Sequence, residues 1–476
     1  MKMHRSSRFP YDDPVVWGRI LFPIIFAIAS HLPFSYDFPP SPEYLLAAYL
    51  GAAVFVEYPI IKEKAFKLHF SYRLTLYTIL VASGFINSLT YRYLGMAGVP
   101  MFLGIALITL LFGMNIGIFA GLFLGLLTSF ITGASFNNFI WFMTVILMSA
   151  YLLRNTYSRS TVAKVALYVS LVNLGMYLFI TYRLLLPFSL QELFMSFVNP
   201  FVCSIVVVGL LPYVEVVSRI YSNIGLMELG NLSHPLLKLL SLKAPGTYYH
   251  SVVLANLSEA AAEKIGANPV LARICAYYHD IGKVKRPAYF TENQMGENPH
   301  EKISPWVSNL ILNEHVKYGL ELARKHRLPL VIEDIILQHH GTRPKMYFLH
   351  KAREKDPEVD ESEFAYPGVK PQFKEAGIIM LADSVEAAIK SLRNPKPAKV
   401  KEVIREIVSS IYNEGQLNES GLTLKDLEMI VEAFTVAITS MMHERVEYPK
   451  DLNGLREKVV NIPEGQRDTT RSEEGR

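Results

Sequence analysis

A chain of 476 residues that is 51% hydrophobic, with a mean hydropathy of +0.23, is too apolar for an ordinary soluble protein and long enough for two to four domains. Its net charge of +4 is unevenly placed: residues 1–220 hold 14 Lys and Arg against 8 Asp and Glu, and residues 221–476 hold 33 against 35, so the basic balance describes no nucleic-acid surface and no DNA or RNA partner is expected. Two cysteines, Cys203 and Cys275, exclude a disulfide framework and a thiolate zinc site.

A short tail, 1–14, carries Lys2, Arg5 and Arg8 and is expected on the cytoplasmic side. Eight apolar stretches follow, each close to the roughly 20 residues that cross a bilayer as a helix. They are 15–32, 44–61, 74–92, 98–115, 117–134, 137–153, 163–182 and 195–216. The first has basic flanks and no cleavage signature, so it is expected as a retained span. Residues 93–153 contain no charge over 61 positions, too many for one span; three fit, with turns near Met114-Asn115 and Ala134-Ser135. Lys62, Lys64, Lys67 and Arg73 fall in one loop, Arg154, Arg159 and Lys164 in another, and Arg219 at the last exit. The alternate loops hold little beyond Arg92 and Arg183. Basic loops stay in the cytoplasm, so eight spans put both termini there. Arg19 and Glu57 lie within spans, and the expectation for both is a side chain reaching back to the interface.

After residue 216 the composition changes. Residues 217–243 read as a helical linker broken at Ser233-His234-Pro235. Ala244 to Thr247 read as a turn, followed by a helix ending at Gly266-Ala267-Asn268-Pro269. Further helices are expected at 269–282, 303–326, 329–340, 373–391, 397–413 and 423–444. Polar stretches at 287–302 and 342–371 read as loops, and 451–476 as a tail too polar to pack. Strand-like alternation is nearly absent. The expected architecture is all-α: a polytopic transmembrane bundle over 15–216, then a cytoplasmic all-helical domain over 244–450.

Nine of the 13 histidines fall between residues 234 and 350. His250 heads one helix, His279-Asp280 ends the next, and His315 lies inside a third. His339-His340 ends a fourth, and Asp383 interrupts the apolar run AGIIMLADSVEAA. Each alone is an ordinary histidine or a buried hydrogen-bond partner. Together, ligand-type residues on five helices at core positions would carry a heavy desolvation cost without a cation to hold. A metal site is expected.

The order H…HD…H…HH…D resembles the ligand order of HD-domain phosphohydrolases. The surround is more specific: KAPGTYYHS, IGANP, AYYHDIGK, RP-x-YF-x-ENQ, NPHEKISP, QHHGT, YPG-x-KP and KEAGIIMLADSVEAA. It resembles the seven-transmembrane HD family of bacterial membrane-bound cyclic di-AMP phosphodiesterases, closely over 225–450 and more loosely over 70–220. Members usually carry a large extracytoplasmic domain after the first span; here the loop over 33–43 is too short to fold as one. The resemblance implies a site for two divalent ions, iron or manganese. It places His250, His279, Asp280 and Asp383 on one ion and Asp280, His315, His339 and His340 on the other, with Asp280 bridging. Hydroxide shared by the ions is the implied nucleophile, and 5′-pApA from cyclic di-AMP the implied product.

Lys283, one turn after His279, is expected to neutralise a phosphate oxygen, and Arg343 is a second phosphate candidate. Tyr248, Tyr249 and Tyr278 could stack on adenine, but core packing is the default expectation. Two rivals stand. A cyclic di-GMP enzyme of this fold carries Gly-Tyr-Pro after the paired histidines, where this chain has Gly341-Thr342-Arg343-Pro344 and only later Tyr366-Pro367. A receptor would bind nucleotide without turnover. Besides the nucleotide, the expected partners are the lipid bilayer and a second copy of the chain.

Overall fold

The computed structural model describes residues 50–61, 63, 67, 69–132, 136–392 and 396–441. The N-terminal tail, the span expected over 15–32, Arg19, the loop over 33–43, Lys62, Lys64 and the tail over 451–476 lie outside the described residues. Among the described residues every regular element is helical, and an isolated bridge joins Pro344 to Ala365. The fold is all-α.

Ala52–Glu57, wound as a π-helix, runs into the turn Tyr58–Ile61 at the end of the second expected span. Six apolar helices follow: α1 (Phe70–Leu94), α2 (Met101–Phe112), α3 (Met114–Ile131), α4 (Phe136–Leu153), α5 (Arg159–Leu184) and α6 (Leu190–Ser218). By length and composition α1, α4, α5 and α6 can cross a membrane. The shorter pair α2 and α3 meets at Gly113, whose φ of 87° breaks the helix there. At 12 residues α2 is about 18 Å long. It is buried along nearly its whole length, so it serves as the bundle's interior helix.

The bundle ends that meet the rest of the chain share one face. Tyr72, Gly113, Leu153 and Arg154 line a cavity there together with Tyr221 and Asp334. Arg159 pairs with Glu228 at 2.6 Å across the same junction. Arg92 and Arg183 sit at the opposite ends of α1 and α5. Glu57 does not reach for an interface: it is 5% exposed, 3.3 Å from Arg73 Nη2, and accepts from the Tyr77 hydroxyl at 3.1 Å. An acid buried among apolar helices keeps its charge only beside such a partner. Between α1 and α2 the 3-10 turn Met96–Gly98 is fixed by Asn199 of α6, whose amide donates to the Ala97 carbonyl at 2.9 Å.

The second half comprises α7 (Asn223–Leu229), α8 (Pro235–Lys243), α9 (Pro245–Lys264), α10 (Pro269–Tyr278), α11 (Pro305–Lys325), α12 (Leu330–Gln338), α13 (Met346–Arg353), α14 (Lys374–Ser391), α15 (Pro397–Asn413) and α16 (Leu424–Met441). Several starts follow one rule. Asn268 and Ser304 accept from Leu271 N at 3.0 Å and Val307 N at 3.3 Å, and proline takes the next position, where no N–H is needed. The same rule corrects the turn expected over 244–247. Pro245 opens α9 and those residues form its first turn.

The helix expected over 269–282 ends at Tyr278 and tightens into the 3-10 turn Ile281–Lys285. The cause is a close approach. A Cβ on Gly282 would fall 1.8 Å from the His315 carbonyl oxygen, so this turn packs backbone against α11. Leu236 and Leu237, in the stretch read as linker, join the core of Leu254, Ile335 and Ile379. The stretch read as a loop over 342–371 contains α13 and its own small core of Phe348, Leu349, Ala352, Val359 and Phe364. Its charges from Glu354 to Glu363 are exposed outside that core.

Candidate metal centre

The hydrophobic stripes of α9, α11, α12 and α14 bury their faces in one core, and each carries polar side chains at one end or one turn. The structure brings His250, His279, Asp280, His315, His339, His340 and Asp383 into a single cluster. Donor atoms of Asp280, His315, His339 and His340 lie within 4.8 Å of one another, as do those of His250, His279 and Asp383.

Asp280 stands between the two sets. Its Oδ2 is 3.1 Å from His279 Nε2 and 3.9 Å from His250 Nε2. Its Oδ1 is 3.5 Å from His315 Nε2 and 3.6 Å from His339 Nε2. Asp383 spans the rim in the same way, with Oδ1 3.1 Å from His250 Nε2 and Oδ2 3.6 Å from His340 Nδ1.

Four rings are oriented from behind. His279 Nδ1 donates to Ala276 O at 2.7 Å, His315 Nδ1 to Leu312 O at 2.5 Å, and His339 Nδ1 to Ile336 O at 3.0 Å. His250 Nδ1 donates to Glu386 at 2.8 Å. With Nδ1 as donor, each Nε2 presents a lone pair to the cluster. Those four Nε2 atoms and Asp280 Oδ1 are buried without a hydrogen-bond partner. Buried polar atoms are rarely orphaned, and five in one cluster fit cations held at their common centre. Imidazole with carboxylate and no thiolate is a donor set for first-row divalent ions.

The electrostatics agree with that use. Burial pushes the His315 imidazole down to about 3, and burial together with His339 keeps His340 well below the usual range. Both rings are therefore held neutral. Burial works against the charge on Asp280, yet Lys283 and His279 hold its carboxyl well below the carboxylate range. Burial likewise opposes the charge on Asp383, and His250, 3.1 Å away, keeps its carboxyl low. His250 is the exception. Burial lowers it, but Asp383 and Glu386 lift it to about 10, so it must give up a proton to accept a cation.

Lys283 Nζ lies 2.6 Å from Asp280 Oδ2, donates to Glu292 at 2.8 Å, and sits 4.9 Å from the centre of the Phe290 ring. Arg343 is at the rim. It grips Glu414 through Nε at 2.7 Å and Nη2 at 3.2 Å and reaches Ser384, beside Asp383, at 3.2 Å. The tyrosines separate: Tyr278 is fully buried with its hydroxyl on Leu229 O at 2.8 Å, whereas Tyr249 is 68% exposed, against the default of core packing.

Four contributors were not visible in the sequence. Glu386 orients His250. Glu292 holds both Lys283 and the Thr247 hydroxyl, the latter at 2.8 Å. Tyr366 stacks on His340 with ring centres 4.0 Å apart. Lys345 lies over the Tyr366 ring at 3.8 Å and donates to Phe364 O at 3.0 Å. Glu386 had a spacing signal, standing three residues after Asp383 and so on the same helix face, while Glu292 and Tyr366 were marked only as members of the quoted motifs.

The family described as HD domain matches residues 247–388, and that described as 7TM receptor with intracellular HD hydrolase matches residues 43–222. The chain is 40% identical over 364 residues to the cyclic-di-AMP phosphodiesterase PgpH of Bacillus subtilis (strain 168), covering 74% of this chain and 51% of that protein. It is 41% identical over 308 residues to the protein of the same name from Listeria monocytogenes serotype 1/2a, covering 64% of this chain and 43% of that one. The chain thus spans about half the length of the curated relatives it matches. A crystal structure of the L. monocytogenes PgpH HD domain in complex with cyclic-di-AMP is 45% identical and covers 44% of this chain and 99% of its own, with a TM-score of 0.43.

Proposed function

From the matches to the models described as HD domain and as 7TM receptor with intracellular HD hydrolase, we propose that the chain is a member of that family and a metal-dependent phosphodiesterase opening cyclic di-AMP to 5′-pApA at the cytoplasmic face of a membrane. The observation that carries the proposal is the orphaned cluster: four imidazole nitrogens and a carboxylate oxygen, buried and aimed at two neighbouring points on either side of Asp280. The assignment of adenine rests on the likeness to the PgpH proteins.

His250, His279, Asp280 and Asp383 would hold one divalent ion, and Asp280, His315, His339 and His340 the other, with iron or manganese suited to the donors. When bound, two such ions supply polarisation of the phosphodiester and an activated water. The rest falls to this chain's own groups. Lys283, kept charged by Asp280 and Glu292 although burial opposes it, places an ammonium beside the bridging carboxylate. There it offsets charge developing on a phosphoryl oxygen. Glu292 holds that ammonium at the wall of the site. Arg343 offers a second cation at the rim, suited to the phosphate that is not cleaved.

The face of the bundle that carries Arg73, Arg154, Arg159 and Arg219 is proposed as cytoplasmic, because basic residues are retained on that side. The metal cluster lies beyond it, and with eight spans the N-terminal tail lies there too. Protease protection in inverted vesicles tests the orientation.

The activity is tested on the full chain purified in detergent, loaded with Mn²⁺ or Fe²⁺ and offered cyclic di-AMP and cyclic di-GMP side by side. Conversion of cyclic di-AMP to pApA, lost in Asp280→Ala, is the expected result. Cleavage of cyclic di-GMP alone would overturn the substrate. Tight binding with no turnover of either would make the protein a nucleotide receptor.

A further inference from the structure

The helix that ends in His339 and His340 is tied at its other end to the membrane bundle. Helix α12 is nine residues long and buries Ile332, Ile335 and Ile336 in the second core. Its first two turns meet two membrane helices. The main-chain N–H of Leu330 donates to Arg219 O at 3.1 Å, just past the end of α6. The Arg219 guanidinium donates from Nε to Leu328 O at 2.9 Å and pairs with Glu333. Arg219 is itself bent into the left-handed region at φ 60°, uncommon for a side chain of that size. Glu333 accepts also from Arg324 Nε at 2.9 Å. His69, immediately before α1, donates from Nε2 to Asp334 at 2.7 Å.

Around these bonds the junction is open. A cavity of about 540 Å³ lies between the bundle and the second half, and Val331 and Asp334 form part of its wall. On this face α12 meets the cavity as well as the bundle, and charged contacts span the gap. Asp334 precedes His339 by five residues, about 7.5 Å along the axis. A helix this short moves as one body. The His339 ring is fastened to carbonyls of α12 itself, so it follows the helix wherever the helix is set.

We infer that Glu333 and Asp334 are positioning residues for the metal centre: they take their place from the membrane helices through Arg219 and His69, and through α12 they set where His339 and His340 stand against Asp280. A shift of α1 against α6 therefore reaches the second ion's ligands through α12. The inference rests on the cluster being a metal centre and is independent of the nucleotide assigned above.

The test uses the full chain in lipid nanodiscs. Mn²⁺ affinity is read by electron paramagnetic resonance, and kcat and KM by turnover of cyclic di-AMP. Asp334→Asn and Glu333→Gln are expected to weaken Mn²⁺ binding by about tenfold, the effect of losing a group that orients a ligand, and to lower kcat with KM unchanged. His69→Asp combined with Asp334→His reverses the pair and is expected to restore affinity, which a general packing defect would not allow. Lys264→Met, which removes an exposed ion pair to Glu432, is the control and leaves both readings unchanged. Wild-type Mn²⁺ affinity in Asp334→Asn and Glu333→Gln, or a loss that the reversed pair does not restore, would overturn the inference. If the wild type binds Mn²⁺ but leaves cyclic di-AMP intact, the proposed substrate falls while the Mn²⁺ readings still decide the role of α12.

Discussion

Seven ligand-type residues stood out in the sequence because each interrupts an apolar helical pattern where the physics of burial disfavours it. The supporting residues did not. Glu292 sits on a three-residue 3-10 turn, too short for periodicity to say which way a side chain points, and its partners Lys283 and Thr247 lie on two other elements. Glu386 was within reach of a spacing argument but looks like any acid on a half-exposed helix. Its effect is measurable. Glu386→Ala leaves His250 free to rotate or to turn its proton inward, and Mn²⁺ affinity should fall by about 10- to 100-fold, checked by titration of the purified protein. Lys345 makes a different prediction. Burial pushes its ammonium down to about 7 from an ordinary 10.5. Between those values the unfolded chain holds the proton and the folded chain does not, so stability rises with pH across that window. Lys345→Met should therefore raise the thermal midpoint most below pH 7, with the gain fading towards 10.5. Midpoints of both proteins measured against pH check the sign.

At the scale of elements, the starts of α10, α11, α12, α14, α15 and α16 were legible because caps, prolines and apolar spacing agree about where each begins. Disagreement arose where a contact distant in sequence decided the local structure. The chain after Tyr278 has helical composition, yet the approach of α11 to Gly282 forces a tighter turn, and nothing within 269–282 announces that. The stretch over 342–371 looked like a solvent loop because its charges are contiguous. Phe348, Leu349 and Phe364 are spread among them and meet only when the segment folds back. The Gly282 contact gives a sharp expectation. Gly282→Ala drives a methyl into the His315 carbonyl and should destabilise the second half by about 1–3 kcal/mol or more, with the ions lost as the turn moves. Denaturant unfolding and metal analysis on the same preparation would show both effects. A folded variant with full metal content would contradict this packing.

At the scale of the whole molecule, charge and hydropathy were enough to divide the chain, since both change sharply near residue 220 and the two hydrophobic cores meet between Ile224 and Leu226. They were not enough to show how the halves touch. That contact depends on single polar side chains such as His69 and Arg219, which look like ordinary loop residues in sequence. Ions that bind only the folded state should stabilise it by about 2.7 kcal/mol at a free concentration 100 times their Kd. Exhaustive chelation is accordingly expected to lower the unfolding midpoint of the second half while that of the membrane bundle stays fixed. Calorimetry before and after readdition of Mn²⁺ reads this directly, and an unmoved midpoint would argue that the cluster holds no ion.

The bond from Asn199 to the Ala97 carbonyl has a consequence for biogenesis. The chain is synthesised from its N-terminus, so Ala97 emerges about a hundred residues before its partner. Through that interval the Ala97 carbonyl of the 3-10 turn before α2 lacks its Asn199 donor, and α2 is about 18 Å long. The early helices must then wait, shielded by the insertion machinery or by one another, until α6 arrives to close the bundle. The helix that completes the first half is also the one that leads into the second, so the order of synthesis closes the bundle before the second half follows.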